Sequence, residues 1–176
     1  MAMIEREIDG AIATVTMNRP DKRNAMSDAF IAELENAFVT MPGAVRVIIL
    51  TGTAGHYCSG LDLAEHKERS AEEGIYHSRN WHRILDMIQF GGRPVVSAMF
   101  GAVIGGGLEI AAATHVRIAE PSTIFQLPEG RRGIFVGGGA TVRVGRILGA
   151  DRMTEMMLTG RKYGAEDGER LGLAHY

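Results

Sequence analysis

Two glutamates stand where a carboxylate could serve as an acid or a base. Glu109 follows the glycine run 105–107 and opens a helix-forming stretch, and Glu129 lies 20 positions later, after Pro128 at the end of a short extended segment. Two neighbouring carboxylates can divide the roles of acid and base when their surroundings separate their pKa values. Before any motif is considered, a favourable charge at a helix N-terminus for Glu109 and a surface carboxylate in a loop for Glu129 are the better explanations of these two residues.

Two glycine-rich turns could present backbone N–H groups to a ligand. Residues 48–51 run into residues 52–62 (GTAGHYCSGLD), and residues 95–98 run into residues 101–107 (GAVIGGG). Donors that converge on one point can stabilise an oxyanion formed from a carbonyl, and glycine lets the ligand approach the backbone closely. Taken singly, each segment is more simply a turn that follows a strand.

Other reactive side chains have less support. Cys58 and Ser59 could act as nucleophiles, but Ser59 is not in a G-x-S-x-G elbow, and a lone cysteine is most often a small buried hydrophobe. The six histidines include no H-E-x-x-H motif, and no C-x-x-C pair is present, so no metal site is predicted. A complete G-x-G-x-x-G motif and a P-loop lysine are also missing, which argues against dinucleotide binding and phosphoryl transfer.

The elements that must position these residues alternate between strands and helices. In chain order the patterns predict a hairpin over residues 4–17, a helix capped by Ser27 and ended by Pro42, a strand over 45–51, helix in two pieces over 63–90, a strand over 94–100, a helix over 108–113, strands over 115–119 and 122–125, helices near 139–148 and 150–158, a strand over 161–163, a short helix near 165–171 and a last strand over 173–176. This order favours an α/β fold with a mainly parallel sheet, in which sites gather at the carboxyl ends of the strands. Because no repeat or linker interrupts it, residues 1–176 are predicted to form a single domain.

The composition is that of an ordinary globular domain. Of 176 residues, 45% are apolar and 23% are charged, and the formal net charge is −2, so neither nucleic acid nor an anionic membrane is expected as a partner. The sequence contains no apolar run of about 18 residues and no apolar segment typical of a secretory signal at its start. With Cys58 as the single cysteine, these features favour a cytoplasmic location.

Four motifs, in order, resemble the signature of the crotonase (enoyl-CoA hydratase/isomerase) superfamily. They are residues 18–26 (NRPDKRNAM), 57–62 (YCSGLD), 105–109 (GGGLE) and 125–129 (FQLPE). The similarity runs from the first hairpin to the last residue. It implies a crotonase-like α/β fold with a mainly parallel sheet of repeated ββα units, and a C-terminal helical region that is absent or truncated in this chain.

The resemblance also implies a role for individual residues. Leu61 and Gly106 would supply the two backbone N–H groups of an oxyanion hole for a thioester carbonyl, and Glu109 and Glu129 would be the catalytic acid and base. The implied positions for binding the substrate and its coenzyme A part are Lys22, Arg23, Ala25, Ser59, Gly60, Asp62, Gly105 and Gly137. No metal or redox cofactor is implied, because coenzyme A enters as part of the substrate.

The paired glutamates favour one reaction of the family. Hydratases resemble this sequence in having glutamates at both places, whereas isomerases of the family commonly keep only the later one. The predicted function is therefore reversible addition of water to a trans-2-enoyl-CoA, which gives a 3-hydroxyacyl-CoA. Isomerisation of an enoyl-CoA, another crotonase-type reaction and a catalytically silent acyl-CoA-binding subunit remain alternatives. A homotrimer or a dimer of trimers is the assembly that the resemblance implies.

Two features leave the substrate open. Where many hydratases have a proline-glycine turn after the second glutamate, this chain has residues 135–139 (FVGGG), and Arg131 and Arg132 bring charge close to Glu129.

His77 and Trp81 are four residues apart on a predicted helix near the expected acyl pocket. Trp81 is predicted to be a core residue, and His77 could belong to either the core or the pocket.

Overall fold

A computed structural model describes residues 2–65 and 69–176 of the chain. Its strands are β1 (Ile4–Asp9), β2 (Ile12–Met17), β3 (Val47–Thr51), β4 (Val95–Met99), β5 (Ala102–Ile104), β6 (Val116–Ala119), β7 (Ile124–Gln126) and β8 (Lys162–Tyr163). Its α-helices are α1 (Asp28–Val39), α2 (Ala71–Phe90), α3 (Gly106–Ala112), α4 (Arg143–Leu148), α5 (Ala150–Thr159) and α6 (Ala165–Arg170). Two single turns of 3-10 helix, Pro20–Lys22 and Gly130–Arg132, complete the described structure.

The main sheet has five strands in the order β1-β2-β3-β4-β6. The hairpin β1-β2 is antiparallel, and all other neighbours in this sheet are parallel, as the alternation of strands and helices predicts. A second sheet has the order β5-β7-β8, with β5 and β7 parallel. The mainly parallel α/β architecture is therefore confirmed.

Most predicted elements are present, with small shifts at their ends. The α1 helix begins after Ser27, whose hydroxyl accepts a hydrogen bond from the Phe30 N–H at 3.2 Å. The second piece of the helical region predicted over residues 63–90 is the helix α2, which begins after the N-cap Ser70; Ser70 and Glu73 form a capping box. The first piece includes residues 66–68, which lie outside the described residues, and residues 63–65 form a turn.

Two predictions of local structure were wrong. Residues 101–107 were interpreted as one glycine turn, but residues 102–104 form β5, whose three residues pair with the distant β7. Residues 173–176 are not a regular strand, although they lie along β6, where the His175 N–H donates to the Arg117 carbonyl at 2.8 Å. In both cases the pairing partner is far away in sequence, so local pattern carries little information about it.

The core positions the polar ends of the elements that surround the site. Alternate residues of β2, β3 and β4 are buried, among them Val15, Leu50 and Met99, and every residue of α3 is buried. The chain passes from β4 through β5 directly into α3, so the first turn of α3 is fixed at the carboxyl ends of two strands.

Within the described residues, no helix has the length and apolar character needed to cross a membrane.

Candidate active site

The four residues expected to do chemistry line one cavity of about 450 Å³. They are Leu61, Gly106, Glu109 and Glu129, which come from three separate segments of the chain. The rest of the lining comes from α2 and from the segment that follows Glu129: Arg69, Ser70, Ala71, Gly74, His77, Ser78, Trp81, Ile134, Phe135, Gly137 and Gly138. The tertiary structure thus places two carboxylates and two glycine-rich turns around a common space.

The backbone N–H groups of Leu61 and Gly106 are close together and available to a ligand. A Cβ added at Gly60, just before Leu61, would lie 3.2 Å from the Gly106 nitrogen, so the two turns are in contact. Neither N–H donates a hydrogen bond to another group in the part of the chain that the structure describes. Gly106 is the first residue of α3, where an N–H group has no partner within the helix. Two such donors can bind one carbonyl oxygen and stabilise negative charge on it.

Glu109 is held as a hydrogen-bond acceptor inside the protein. Its side chain is buried, and Oε1 accepts hydrogen bonds from the Gly138 N–H at 3.0 Å and the Ala140 N–H at 2.9 Å. Burial raises the pKa of Glu109, while the Ala140 and Gly138 N–H groups, followed by the nearby Arg143 cation, oppose that increase. The two N–H groups favour the carboxylate over the acid, so Glu109 is suited to accept a proton.

Glu129 is also buried, but it lacks the hydrogen bonds that Glu109 accepts. Its Oε2 atom is buried and has no hydrogen-bond partner among the described residues. Burial raises the pKa of Glu129 to about 7, and the charge of Glu109 adds to the increase against the opposing effects of its own N–H group and Arg132. A Cβ at Gly105 would lie 2.5 Å from Oε1 of Glu129, so a glycine is needed where this carboxyl group reaches the oxyanion turn. A carboxyl group with a pKa of about 7 is partly protonated at neutral pH and can donate a proton in that form.

The loop that binds Glu109 was missed as a functional element by sequence reasoning. The sequence FVGGG at residues 135–139 was noted as a departure from the usual family pattern, and within it only Gly137 was predicted to bind the substrate; no contact with Glu109 was predicted. In the structure, a Cβ at Gly138 would lie 2.4 Å from Oε2 of Glu109, so a side chain there would occupy the position of the carboxylate. Consecutive glycines soon after Glu129 were the available indication of such a close approach.

The residues expected to contact coenzyme A lie beside the oxyanion turn. Two hydrogen bonds join the segments: the Ser59 hydroxyl donates to the Lys22 carbonyl at 3.2 Å, and the Ser59 N–H donates to the Arg23 carbonyl at 3.0 Å. The side chains of Lys22 and Arg23 are exposed and do not line the 450 Å³ cavity. Ala25 is buried, and its carbonyl accepts a hydrogen bond from Arg19. The predicted basic residues therefore border the site from outside, where a phosphate could reach them.

Asp62 has a structural environment that the sequence did not reveal. Arg19 lies 2.8 Å from its carboxylate and Lys22 lies 3.9 Å from it, and the Ala64 N–H donates to it at 3.0 Å. Burial alone would raise the pKa of Asp62, but the Ala64 N–H and the Lys22 and Arg19 cations hold it below its usual range. Asp62 therefore fixes the segment that carries Lys22 against the oxyanion turn.

The remaining predicted positions have mixed surroundings. Gly137 lines the cavity, and its carbonyl accepts a hydrogen bond of 2.6 Å from the Ser78 hydroxyl. Trp81 is a core residue that also lines the cavity, and His77 lies on the wall with its Nε2 atom 2.8 Å from Asp28. His77 therefore belongs to the pocket, and Ser78 is a lining residue that the sequence analysis did not single out.

Cys58 precedes the oxyanion turn in the chain and does not line the cavity. It is completely buried, and its Sγ atom donates to the Asn24 carbonyl at 3.1 Å. Burial raises the pKa of the thiol to about 12, against the weaker effect of the Gly60 N–H. Since the thiolate is the nucleophilic form, this environment suits a packing residue.

Comparison with known proteins gives consistent matches over nearly the whole chain. The sequence matches the enoyl-CoA hydratase/isomerase family over residues 7–175. It is 36% identical over 169 residues to enoyl-CoA hydratase domain-containing protein 2, mitochondrial, from Bos taurus. That alignment covers 94% of this chain and 57% of the bovine protein, so the chain spans a little over half the length of this relative.

Solved structures match in fold as well. A candidate enoyl-CoA hydratase from Rhodopseudomonas palustris superposes with a TM-score of 0.96 at 47% sequence identity, over 99% of this chain and 67% of that one. A candidate enoyl-CoA hydratase from Thermobifida fusca in complex with acetoacetyl-CoA superposes with a TM-score of 0.87 at 25% identity, over 98% of this chain and 72% of that one.

Proposed function

Since this chain belongs to the enoyl-CoA hydratase/isomerase family and has its crotonase-like fold, we propose that it catalyses the reversible addition of water to a trans-2-enoyl-CoA. The product would be a 3-hydroxyacyl-CoA. An acyl-CoA ligand is supported by the acetoacetyl-CoA complex of the Thermobifida fusca structure. The proposal assigns both glutamates a direct role and treats coenzyme A as part of the substrate.

The observation that carries the proposal is the meeting of two unlike carboxyl groups at one pair of free N–H groups. Leu61 and Gly106 supply the donors, Glu109 accepts two backbone hydrogen bonds, and burial raises the pKa of Glu129 to about 7. Hydration needs a base for water and a proton for the α-carbon, and this arrangement offers both beside an oxyanion site.

The proposed reaction follows from these environments. The thioester carbonyl accepts hydrogen bonds from the Leu61 and Gly106 N–H groups, which stabilise the enolate that forms when the β-carbon is attacked. Glu109 removes a proton from water as the oxygen bonds to the β-carbon. The protonated Glu129 then donates its proton to the α-carbon, and the enolate returns to a carbonyl. Glu109 then loses its proton to solvent and Glu129 takes one up from solvent, which restores the initial protonation states of both carboxyl groups.

The direct test is turnover by the purified 176-residue protein. Enoyl-CoA thioesters of increasing chain length would be supplied, and loss of the conjugated double bond would be followed by absorbance. We expect hydration of at least one chain length, with the 3-hydroxyacyl-CoA identified by mass spectrometry. Absence of turnover together with tight binding of acyl-CoA would favour the alternative of a catalytically silent binding subunit.

Isomerisation of the double bond is the second candidate, and Glu129 is the observation that favours it. A single carboxyl group with a pKa of about 7 can both remove and return a proton near neutral pH. A 3-enoyl-CoA substrate separates the two activities, because an isomerase converts it to the 2-enoyl form and accumulates that product. A hydratase alone leaves the 3-enoyl-CoA unchanged.

We expect Lys22 and Arg23 to contribute to binding of coenzyme A through its phosphates. Joint replacement by glutamine should raise KM about three- to tenfold, because each exposed ion pair contributes only a fraction of a kcal/mol. The value of kcat should change less, since neither side chain lines the cavity. Steady-state kinetics at two salt concentrations measure the effect.

The matched control for this pair is the joint replacement of Arg161 and Lys162, an exposed basic pair away from the cavity. It should leave KM unchanged. Equal KM values and equal salt dependence in the wild type and the Lys22/Arg23 variant would remove these two residues from the binding site.

Cys58→Ala should keep most of the turnover, because the buried thiol serves packing and two hydrogen bonds, one to the Asn24 carbonyl and one from the Gly60 N–H. The free energy of unfolding should fall by about 1 kcal/mol, the usual scale for a small change in the core. Kinetics and denaturant unfolding check the two parts. A loss of several orders of magnitude in kcat, with the circular dichroism spectrum unchanged, would mean that the thiol takes part in the chemistry.

Three properties of the protein stay predictions: the organisation of residues 1–176 as one domain, assembly as a homotrimer or a dimer of trimers, and a cytoplasmic location. A mass measurement of the native assembly addresses the second of them.

A further inference from the structure

The loop that binds Glu109 is itself held by a buried cation. Arg143 lies at the start of α4, and its side chain is only 5% exposed. Its guanidinium contacts the loop directly, because a Cβ at Gly139 would lie 2.3 Å from Nη1 of Arg143. The same Nη1 atom donates to the Gly138 carbonyl at 3.4 Å. Gly138 thus accepts from Arg143 on one side and donates to Glu109 on the other.

The Arg143 side chain is fixed from α2. Its Nε atom donates to Oε1 of Gln89 at 2.8 Å, and its Nη2 atom forms an ion pair with Asp86. A second link joins the same helix to the loop, since the Ser78 hydroxyl donates to the Gly137 carbonyl at 2.6 Å. The α2 helix is therefore linked to the loop at Gly137 through Ser78 and at Gly138 through Arg143.

We propose that Arg143 is a positioning residue that holds the 137–140 loop so that the Gly138 and Ala140 N–H groups point at Glu109, and that its positive charge favours the carboxylate form of that side chain. The role has a geometric part, which needs the forked guanidinium to reach both Gln89 and Gly138. It also has an electrostatic part, which needs only a positive charge behind the loop. Neither part involves contact with the substrate.

The charge of Arg143 acts in the direction that the proposal needs. It lowers the pKa of Glu109 against the larger effect of burial, after the contributions of the two N–H groups. Other titratable or charged side chains surround the cavity and the loop: Arg69, His77, His82, Asp86, Glu129, Arg132 and Arg146. Because these groups also affect the pH dependence of activity, a test must measure the pKa of the Glu109 carboxyl group directly.

Three variants separate the parts of the role. Arg143→Met removes both the positive charge and the guanidinium hydrogen-bond donors. Arg143→Lys keeps the charge but lacks the planar guanidinium. Arg146→Met, on the same helix, removes an exposed cation and is the matched control. The pKa of Glu109 is measured by carbon-13 NMR of labelled glutamate carboxyl groups, with Glu109→Gln for assignment. Values of kcat and KM for hydration are measured on the same samples.

Arg143→Met should raise the pKa of Glu109 by about one pH unit, the scale for loss of a nearby opposite charge. It should also lower kcat about tenfold or more with little change in KM, because the base is misplaced while the oxyanion donors remain. Arg143→Lys should keep the pKa near the wild-type value and still lower kcat. Arg146→Met should match the wild type in both measurements.

An unchanged Glu109 pKa in folded Arg143→Met, or a kcat equal to that of the Arg146→Met control, would overturn the proposal. If the methionine variant does not fold, Arg143→Gln removes the charge while keeping a hydrogen-bond donor, and the same criteria apply. The inference rests on the proposed role of Glu109 in hydration, but the NMR measurement does not. A wild-type protein without hydratase activity whose Glu109 pKa still rises in Arg143→Met would refute the proposed function and leave the link between the two residues standing.

Discussion

Glu109→Gln is expected to lower kcat for hydration by at least about a hundredfold, the usual scale for loss of one acid or base group. Glutamine keeps the shape of the side chain, and its carbonyl oxygen can still accept the hydrogen bonds that the Gly138 and Ala140 N–H groups donate at 3.0 and 2.9 Å. It cannot accept a proton from water. Binding of the thioester should survive, because Leu61 and Gly106 contribute through their backbones.

The measurements for this variant are the hydration rate and the dissociation constant of a non-reactive acyl-CoA. Glu7→Gln is the matched control, because Glu7 is an exposed carboxylate on β1, far from the cavity lining. It should behave as the wild type. A hydration rate near wild type in Glu109→Gln would show that water is activated by another group.

Glu129→Gln is expected to abolish hydration and also the exchange of α-protons with solvent. This carboxyl group is the one that we expect to face the α-carbon, and glutamine cannot donate a proton of comparable acidity. The buried Oε2 atom has no partner within the described residues, so the substitution breaks no hydrogen bond at that position. Deuterium incorporation from heavy water into a saturated acyl-CoA measures the exchange separately from hydration.

The proposed acid also predicts the direction of the pH dependence. The pKa of Glu129 is raised by burial to about 7, so the protonated form prevails below that pH and is lost above it. If Glu129 donates the proton, kcat/KM for hydration falls as the pH rises through about 7. If hydration were near wild type in Glu109→Gln while Glu129→Gln lost all activity, the one-carboxylate isomerase would replace the hydratase as the proposed function.

Much of the architecture could be predicted because its determinants are local. The hairpin β1-β2, the Ser27 cap of α1 and the apolar face of α2 follow from turn residues, capping residues and periodicity that act over a few positions. The second sheet was predicted only in part: strands were predicted near β7 and β8, but β5 and the pairing of the three strands were not. Its strands have only two or three residues each, and their pairing joins segments that are far apart in the chain.

The sequence by itself determined which groups could do chemistry: two glutamates, two glycine-rich turns and their order along the chain. Only the tertiary structure decided that Glu109 and Glu129 line one cavity in different environments. Glu109 accepts hydrogen bonds from two backbone N–H groups, whereas Glu129 has a buried oxygen with no hydrogen-bond partner among the described residues. It also revealed that the 137–140 loop and Arg143 support Glu109. The physical reason is that burial, pKa shifts and hydrogen bonds between segments arise from packing of distant parts of the chain, whereas residue type and local spacing fix only the groups that take part.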